Sequence, residues 1–167
     1  MKIITNSVEG IKEAAKILTS NGIVAFPTET VYGLGANAFS EEAVTKLYEI
    51  KRRPSLNPLI IHVSSYDMAR EYGIFNYTAE KLVKKYWPGP LTIIVKKKKS
   101  KVVEAATAKL ETIALRCPNN IIASRLIQEL GKPIAAPSAN KSGKLTCTNP
   151  GDVFAKLKNS IAALLNG

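Results

Sequence analysis

This chain has very little of several things. It has two cysteines, Cys117 and Cys147, and one histidine, His62, and their spacing matches no metal-ligand pattern. A structural zinc site is therefore not expected, and two reduced thiols are. No apolar run approaches the roughly 18 residues that a membrane span requires. The N-terminal MKIITNSVEGIKEAAKIL carries charges throughout and lacks the apolar block of a signal peptide. These absences make a cytoplasmic location and no membrane association the expectation.

The common nucleotide loops are missing as well. SGKLT has the Gly-Lys pair of a P-loop without its upstream glycine or the hydroxyl after Lys, and GLGANA stops at two glycines where a dinucleotide fingerprint has three. There is no G-x-S-x-G elbow, and a Ser-His-Asp arrangement would have to run through the lone His62. A nucleotide bound here is held some other way.

Of the 167 residues, 46% are hydrophobic, enough for the core of one domain. Lys plus Arg number 24 against 13 acidic residues, a net charge of +11. That excess fits anionic partners such as nucleotides, RNA or an acidic surface, and it also fits a merely lysine-rich composition.

The patterning alternates helices and strands. A helix over 8–18, capped by Ser7, presents Val8, Ile11, Ala15 and Leu18 on one face. A strand follows at 23–26 and leads into a glycine-bracketed loop, Gly33-Leu34-Gly35. Ser40 caps a second helix, which Pro54 stops, and Thr78 caps a third, which breaks at WPGP. PLIIHV (58–63), LTIIV, TIALR (112–116) and PIAAP read as strands, 119–131 as a helix, and a last helix starts near Asp152. The expected fold is α/β, with a twisted mixed sheet flanked by helices. The run KKKKSK (96–101) reads either as a solvated loop or as added attraction for a phosphate backbone.

Four segments place polar residues at strand ends. GIVAFPTETVYGLGANA ends a buried strand in hydroxyls and a carboxylate. In KRRPSLNPLIIH, Lys51 and Arg53 are two residues apart. In an extended chain both point one way and form an anion clamp, with Asn57 as a neutral donor. His62 lies within an apolar strand, as either a satisfied core residue or a site residue. Arg116 ends TIALR, where a charge needs a partner or an anionic ligand. APSANKSGKLTCT offers hydroxyls, an amide and backbone N–H groups, suited to phosphate oxygens or simply to a polar turn.

In this order, PTETVYGLGANA, K-x-R-P at 51–54, NPLIIH at 57–62, WPGPLT at 87–92, TIALRCP at 112–118 and PIAAPSANKSG at 133–143 resemble the YrdC-like family across nearly the whole chain. The resemblance implies a single domain over 1–167 with a basic concave cleft. It implies an L-threonylcarbamoyladenylate synthase, a nucleotidyltransferase that condenses L-threonine, bicarbonate and ATP with Mg²⁺ into threonylcarbamoyl-AMP and pyrophosphate. A separate transferase complex then modifies tRNA.

By the same resemblance, Lys51, Arg53, Ser138 and Asn140 form the catalytic centre. ATP also meets Asn57, Thr112 and Thr146, and threonine meets Thr30, His62, Arg116 and the backbone near Ala136. That reading turns His62 toward the cleft. No protein metal site is implied.

Members of the family continue past the point where SIAALLNG ends here, through a glycine-rich turn and a strand containing Glu-Ser-Thr. Their Ser-Pro-Thr is Thr146-Cys147-Thr148 here. The alternative function is a basic RNA-binding relative with an incomplete catalytic site. A third reading is a carbamoyl-transfer domain of the hydrogenase-maturation kind.

Overall fold

The computed structural model describes residues 1–167. Strands β1 (Lys2–Ile4), β2 (Val24–Phe26), β3 (Gly33–Asn37), β4 (Ile60–His62), β5 (Gly73–Ile74), β6 (Ile93–Lys97), β7 (Thr112–Arg116), β8 (Ile134–Ala135) and β9 (Ala163–Leu165) form one sheet, in the order β1-β9-β2-β3-β8-β4-β7-β6-β5. The β1/β9, β9/β2 and β4/β7 pairs are parallel. The other five pairs are antiparallel, so the sheet is mixed as expected. The helices are α1 (Val8–Thr19), α2 (Glu41–Lys51), α3 (Tyr66–Arg70), α4 (Tyr77–Tyr86), α5 (Ile121–Leu130) and α6 (Pro150–Leu157), with a 3-10 turn at Glu104–Thr107.

Strand alternation distributes side chains to two cores. Ile23 and Ala25 face the larger one, with Ile61, Ile113, Leu115 and the apolar stripe of α2 (Val44, Leu47 and Tyr48). Val24 and Phe26 face the smaller one, beneath α1 and α5, with Ile134, Ala163 and Leu165. The smaller core covers only the β1-β9-β2-β8 half of that side of the sheet. Over β4, β7 and β6 the same side is left largely open: Ile60, Ala114 and Arg116 are only partly buried there, and Ile94 is 70% exposed. The site lies on this uncovered half.

Several local expectations are corrected. Gly33-Leu34-Gly35 is not a loop but the start of buried β3, antiparallel to β2. Its glycines make room for the Phe26 ring. A Cβ on Gly35 would sit 2.9 Å from Phe26 Cε1 and 2.9 Å from Ile134 Cγ2, and such close approach is a recurring use of strand glycine.

Val8 is 57% exposed, because α1 buries Gly10, Ile11, Ala14, Ala15 and Leu18 instead. Asn76, not Thr78, caps α4 and accepts from the Ala79 N–H. Lys96 and Lys97 belong to β6, and Lys97 pairs with Glu104 at 2.7 Å, so the first two residues of the lysine run are strand. The short elements β1, α3, β5 and β9 carry too little periodicity to be read from the sequence. Yet β9 sits between β1 and β2, and Tyr32 Oη donates to the Gly167 carbonyl at 2.8 Å. Both cysteines are buried free thiols.

Candidate active site

Parallel pairing of β4 with β7 places His62 opposite Arg116. The turn after β2 supplies the third side. Thr28 Oγ1 donates to the Val31 carbonyl at 2.6 Å and accepts from the Val31 N–H, closing a hydroxyl-bonded turn. The turn aims Glu29 and Thr30 at the guanidinium: Arg116 Nη2 lies 3.0 Å from Glu29 Oε1 and donates to Thr30 Oγ1 at 3.1 Å. Arg116 Nε is buried and has no partner.

His62 is 3% exposed, with its ring edge-on to Phe26. Burial, and then the Arg116 charge, push its pKa down to about 4. The imidazole is therefore neutral at pH 7. Its Nδ1 lies 3.3 Å from the Ile60 carbonyl. With the proton on Nδ1 directed there, Nε2 is left as an acceptor.

The second group is built on the 138–144 loop. The pairing of Lys51 and Arg53 as two side chains of an extended segment is corrected. Lys51 is the last residue of α2, and Arg52 caps the helix in the left-handed region at φ 50°. Lys51 turns inward, 2% exposed, and its ammonium donates to the Ser138 and Asn140 carbonyls. Burial, and then the nearby Arg53, lower its pKa to about 8. Ser138 Oγ donates to Asn140 Oδ1 at 2.5 Å, and Asn140 Nδ2 donates to the Lys141 and Lys144 carbonyls. Arg53 follows the chain outward and donates to the Asn57 and Pro58 carbonyls.

A cavity of about 290 Å³ joins the two groups, with Arg53, His62, Arg116, Ala136 and Ser138 among its walls. Its lining holds two guanidiniums and no carboxylate. Ala136 is fixed by its N–H to the Ile60 carbonyl at 2.9 Å.

Thr30, Lys51 and Asn140 stand behind or beside this lining, and Asn57, Thr112 and Thr146 also lie outside it. Asn57 is exposed ahead of β4. Thr112 is exposed on the open face of β7, four residues before Arg116 and opposite Lys96. Thr146 is partly buried after the exposed 141–145 segment. A larger cavity of about 500 Å³ begins at Cys117 and holds none of the expected residues. The charged groups converge on the smaller one, which we take as the site. The residue that sequence reasoning left unassigned is Glu29. Its position in PTET, at the end of an apolar strand, was the available signal.

Fold and site together define a mixed-sheet α/β domain with a small-molecule cavity on the uncovered half of its sheet. The Sua5/YciO/YrdC family model, described as "Telomere recombination", matches residues 16–167. The chain is 48% identical over 158 residues to the threonylcarbamoyl-AMP synthase of Bacillus subtilis, covering 94% of this chain and 46% of that protein. It superposes with a TM-score of 0.94 and 41% identity on the P. abyssi Sua5 crystal structure complexed with L-threonine, covering 99% of this chain and 49% of that one. It also matches full-length HypF in a phosphate- and nucleotide-bound form, with a TM-score of 0.85 and 26% identity over 24% of that chain. The chain belongs to the Sua5/YciO/YrdC family. It spans about half the length of the curated relatives it matches first.

Proposed function

We propose that this chain is a threonylcarbamoyl-AMP synthase domain that condenses L-threonine, bicarbonate and ATP. The observation that carries this reading is one cavity with two chemically different ends. At one end Arg116 and neutral His62 line the cavity, with Thr30 beside it on the Arg116 guanidinium, and together they fit an amino acid: a guanidinium for the carboxylate, and a hydroxyl and a ring-nitrogen acceptor for the polar side chain. At the other end Arg53 and the Ser138–Asn140 loop over Lys51 fit phosphate oxygens. Asn57, Thr112 and Thr146 would meet the nucleotide where it extends beyond the cavity.

Threonine and bicarbonate give a carbamate and water. A carbamate oxygen then forms a bond to the α-phosphorus of ATP as the bond to the β-phosphate oxygen breaks, and pyrophosphate leaves. No protein nucleophile is needed. Alignment and charge stabilisation suffice, and enclosure protects the labile carbamate from water. Arg53 is the cation placed for the developing charge, and losing it costs on the order of 3 kcal/mol, roughly a hundredfold in rate.

No cluster of three or more His, Cys, Asp or Glu side chains is present that could hold a metal. In this reading Mg²⁺ enters with ATP, held chiefly by its phosphate oxygens.

The +11 charge fits RNA as well as ATP. In this reading the product passes to a transferase acting on tRNA, in the cytoplasm. No helix is long and apolar enough to cross a membrane. A module that bound only RNA would need cations alone. It would have no use for a buried neutral imidazole beside a half-satisfied guanidinium.

The test is mass spectrometry of the protein incubated with ATP, Mg²⁺, L-threonine and ¹³C-bicarbonate. The expected product is threonylcarbamoyl-AMP carrying one ¹³C. Salt-sensitive RNA binding with no labelled product would favour the RNA-binding relative instead.

A further inference from the structure

Resting on the proposed synthase reading, we propose that Glu29 is the receptor for the substrate's ammonium group, so that Glu29 and Arg116 together select a free α-amino acid in its zwitterionic form. Glu29 has no assigned role in the account above, yet it is the only acidic residue in ion-pair contact with Arg116. Its side chain is 18% exposed and that of Arg116 is 11% exposed, while Glu29 and Thr30 as residues stand at the surface, so the pair sits at the rim of the cavity.

The guanidinium is not fully satisfied by this contact. Glu29 and Thr30 both meet Nη2, while buried Nε has no partner. A buried, unpartnered donor of a charged group is costly unless a ligand completes it. A substrate carboxylate can take the open Nε edge and form the paired contact that guanidinium geometry favours. That carboxylate displaces Glu29 from the guanidinium, and the α-ammonium beside it gives Glu29 a new counter-charge.

Thr30 and His62 can accept from an ammonium but bring no counter-charge to it. Thr30 offers a neutral hydroxyl, and neutral His62 is left for the substrate hydroxyl. The cavity lining itself contains no carboxylate, so Glu29, set at its edge by the contact with Arg116, is the one that reaches it. The ion pair of the empty site is therefore a bipolar receptor folded onto itself. Glu29 neutralises Arg116 until a zwitterion separates the two.

The experiment compares binding of L-threonine with that of 2,3-dihydroxybutanoate of matching configuration, in which a hydroxyl replaces the ammonium. Calorimetry is run on the native chain, Glu29→Gln and Glu29→Asp, with thermal melting as a fold control. The native chain should prefer threonine by at least about tenfold. Glu29→Gln should lose that preference by weakening threonine binding alone, and Glu29→Asp should restore part of it.

Equal binding of the two ligands by the native chain would overturn the proposal without any variant. So would a Glu29→Gln protein that keeps the preference, or that binds threonine more tightly, which would make Glu29 only a block on Arg116. If the native chain binds ATP but neither ligand, the synthase reading falls along with the inference. Threonine binding without discrimination removes the inference alone.

Discussion

The Lys51 ammonium lies on the backbone carbonyls of Ser138 and Asn140, so the end of α2 holds a loop 87 residues further along the chain. The loop returns the contact, since Ser142 N–H donates to the Lys51 carbonyl at 3.0 Å. Lys51 therefore shapes the proposed phosphate-binding end from beneath. Lys51→Met leaves two inward-facing carbonyls without their donor, a loss of about 2 kcal/mol of loop ordering. Faster amide exchange across 138–144 and weaker ATP binding are the expected results, with threonine binding unchanged. Lys51→Arg should not restore the loop, because a planar fork does not replace a compact ammonium between two carbonyls. Unaltered exchange in the methionine variant would contradict this role.

The two ends of the cavity should fail separately. Arg116→Gln removes the carboxylate partner and should reduce threonine affinity by at least about tenfold while ATP still binds. Arg53→Gln should do the reverse. Parallel calorimetric titrations of both variants with both ligands check this. Loss of both ligands in a variant with native melting behaviour would mean that the ends are not independent.

His62 should report on the site through its protonation. Its folded pKa of about 4 lies below the ordinary value of 6.5. Between those values the unfolded chain takes up a proton that the folded chain refuses. The stability contribution is thus complete above pH 6.5 and is lost as pH falls toward 4, on the order of 3 kcal/mol over the whole window. His62 is the only histidine, so its imidazole signals are unambiguous in a proton NMR titration. They should remain those of a neutral ring to well below pH 6. In Arg116→Gln the midpoint should move upward, because one of its depressing charges is gone. A midpoint near 6.5 in the native chain would contradict the buried neutral ring.

Gly35→Ala tests the packing that joins β3 to the site. The added methyl meets the Phe26 ring and Ile134, both in the core and unable to swing away. A cost of about 1–3 kcal/mol in unfolding free energy is expected. Because the ring of Phe26 also packs edge-on to His62, threonine affinity should fall as well. A neutral effect on stability would show that β3 and β2 have more slack than their register implies.

The sequence revealed long periodic elements and isolated polar residues at strand ends, and these carry strong local signals. TIALR coincides with β7 at both ends, and Asn120 and Gly131 bracket α5 as cap residues do. Arg116 stood out because a charge at the end of an apolar strand requires a reason, whereas His62 read as either core or site until the family resemblance turned it toward the cleft.

What was not legible depends on distant chain segments. The three residues of β9 become a strand only through β1 and β2, which flank it in the sheet. Gly33 and Gly35 read as a loop by composition, and only the Phe26 ring on the adjacent strand explains them. The inward turn of Lys51 follows from the left-handed cap at Arg52, which no pattern in KRRP reveals. Glu29 was visible, but its partner stands 87 positions away in the chain.

The central claim is that one cavity brings threonine, bicarbonate and ATP together, and pyrophosphate release tests it most directly. The chain is incubated with ATP, Mg²⁺ and bicarbonate, with and without L-threonine, alongside Arg53→Ala. The account predicts release that requires both threonine and bicarbonate and falls roughly a hundredfold in the variant. Release that is indifferent to threonine, or equal in Arg53→Ala, would contradict it, as would a complete absence of release from a folded chain that binds both ligands.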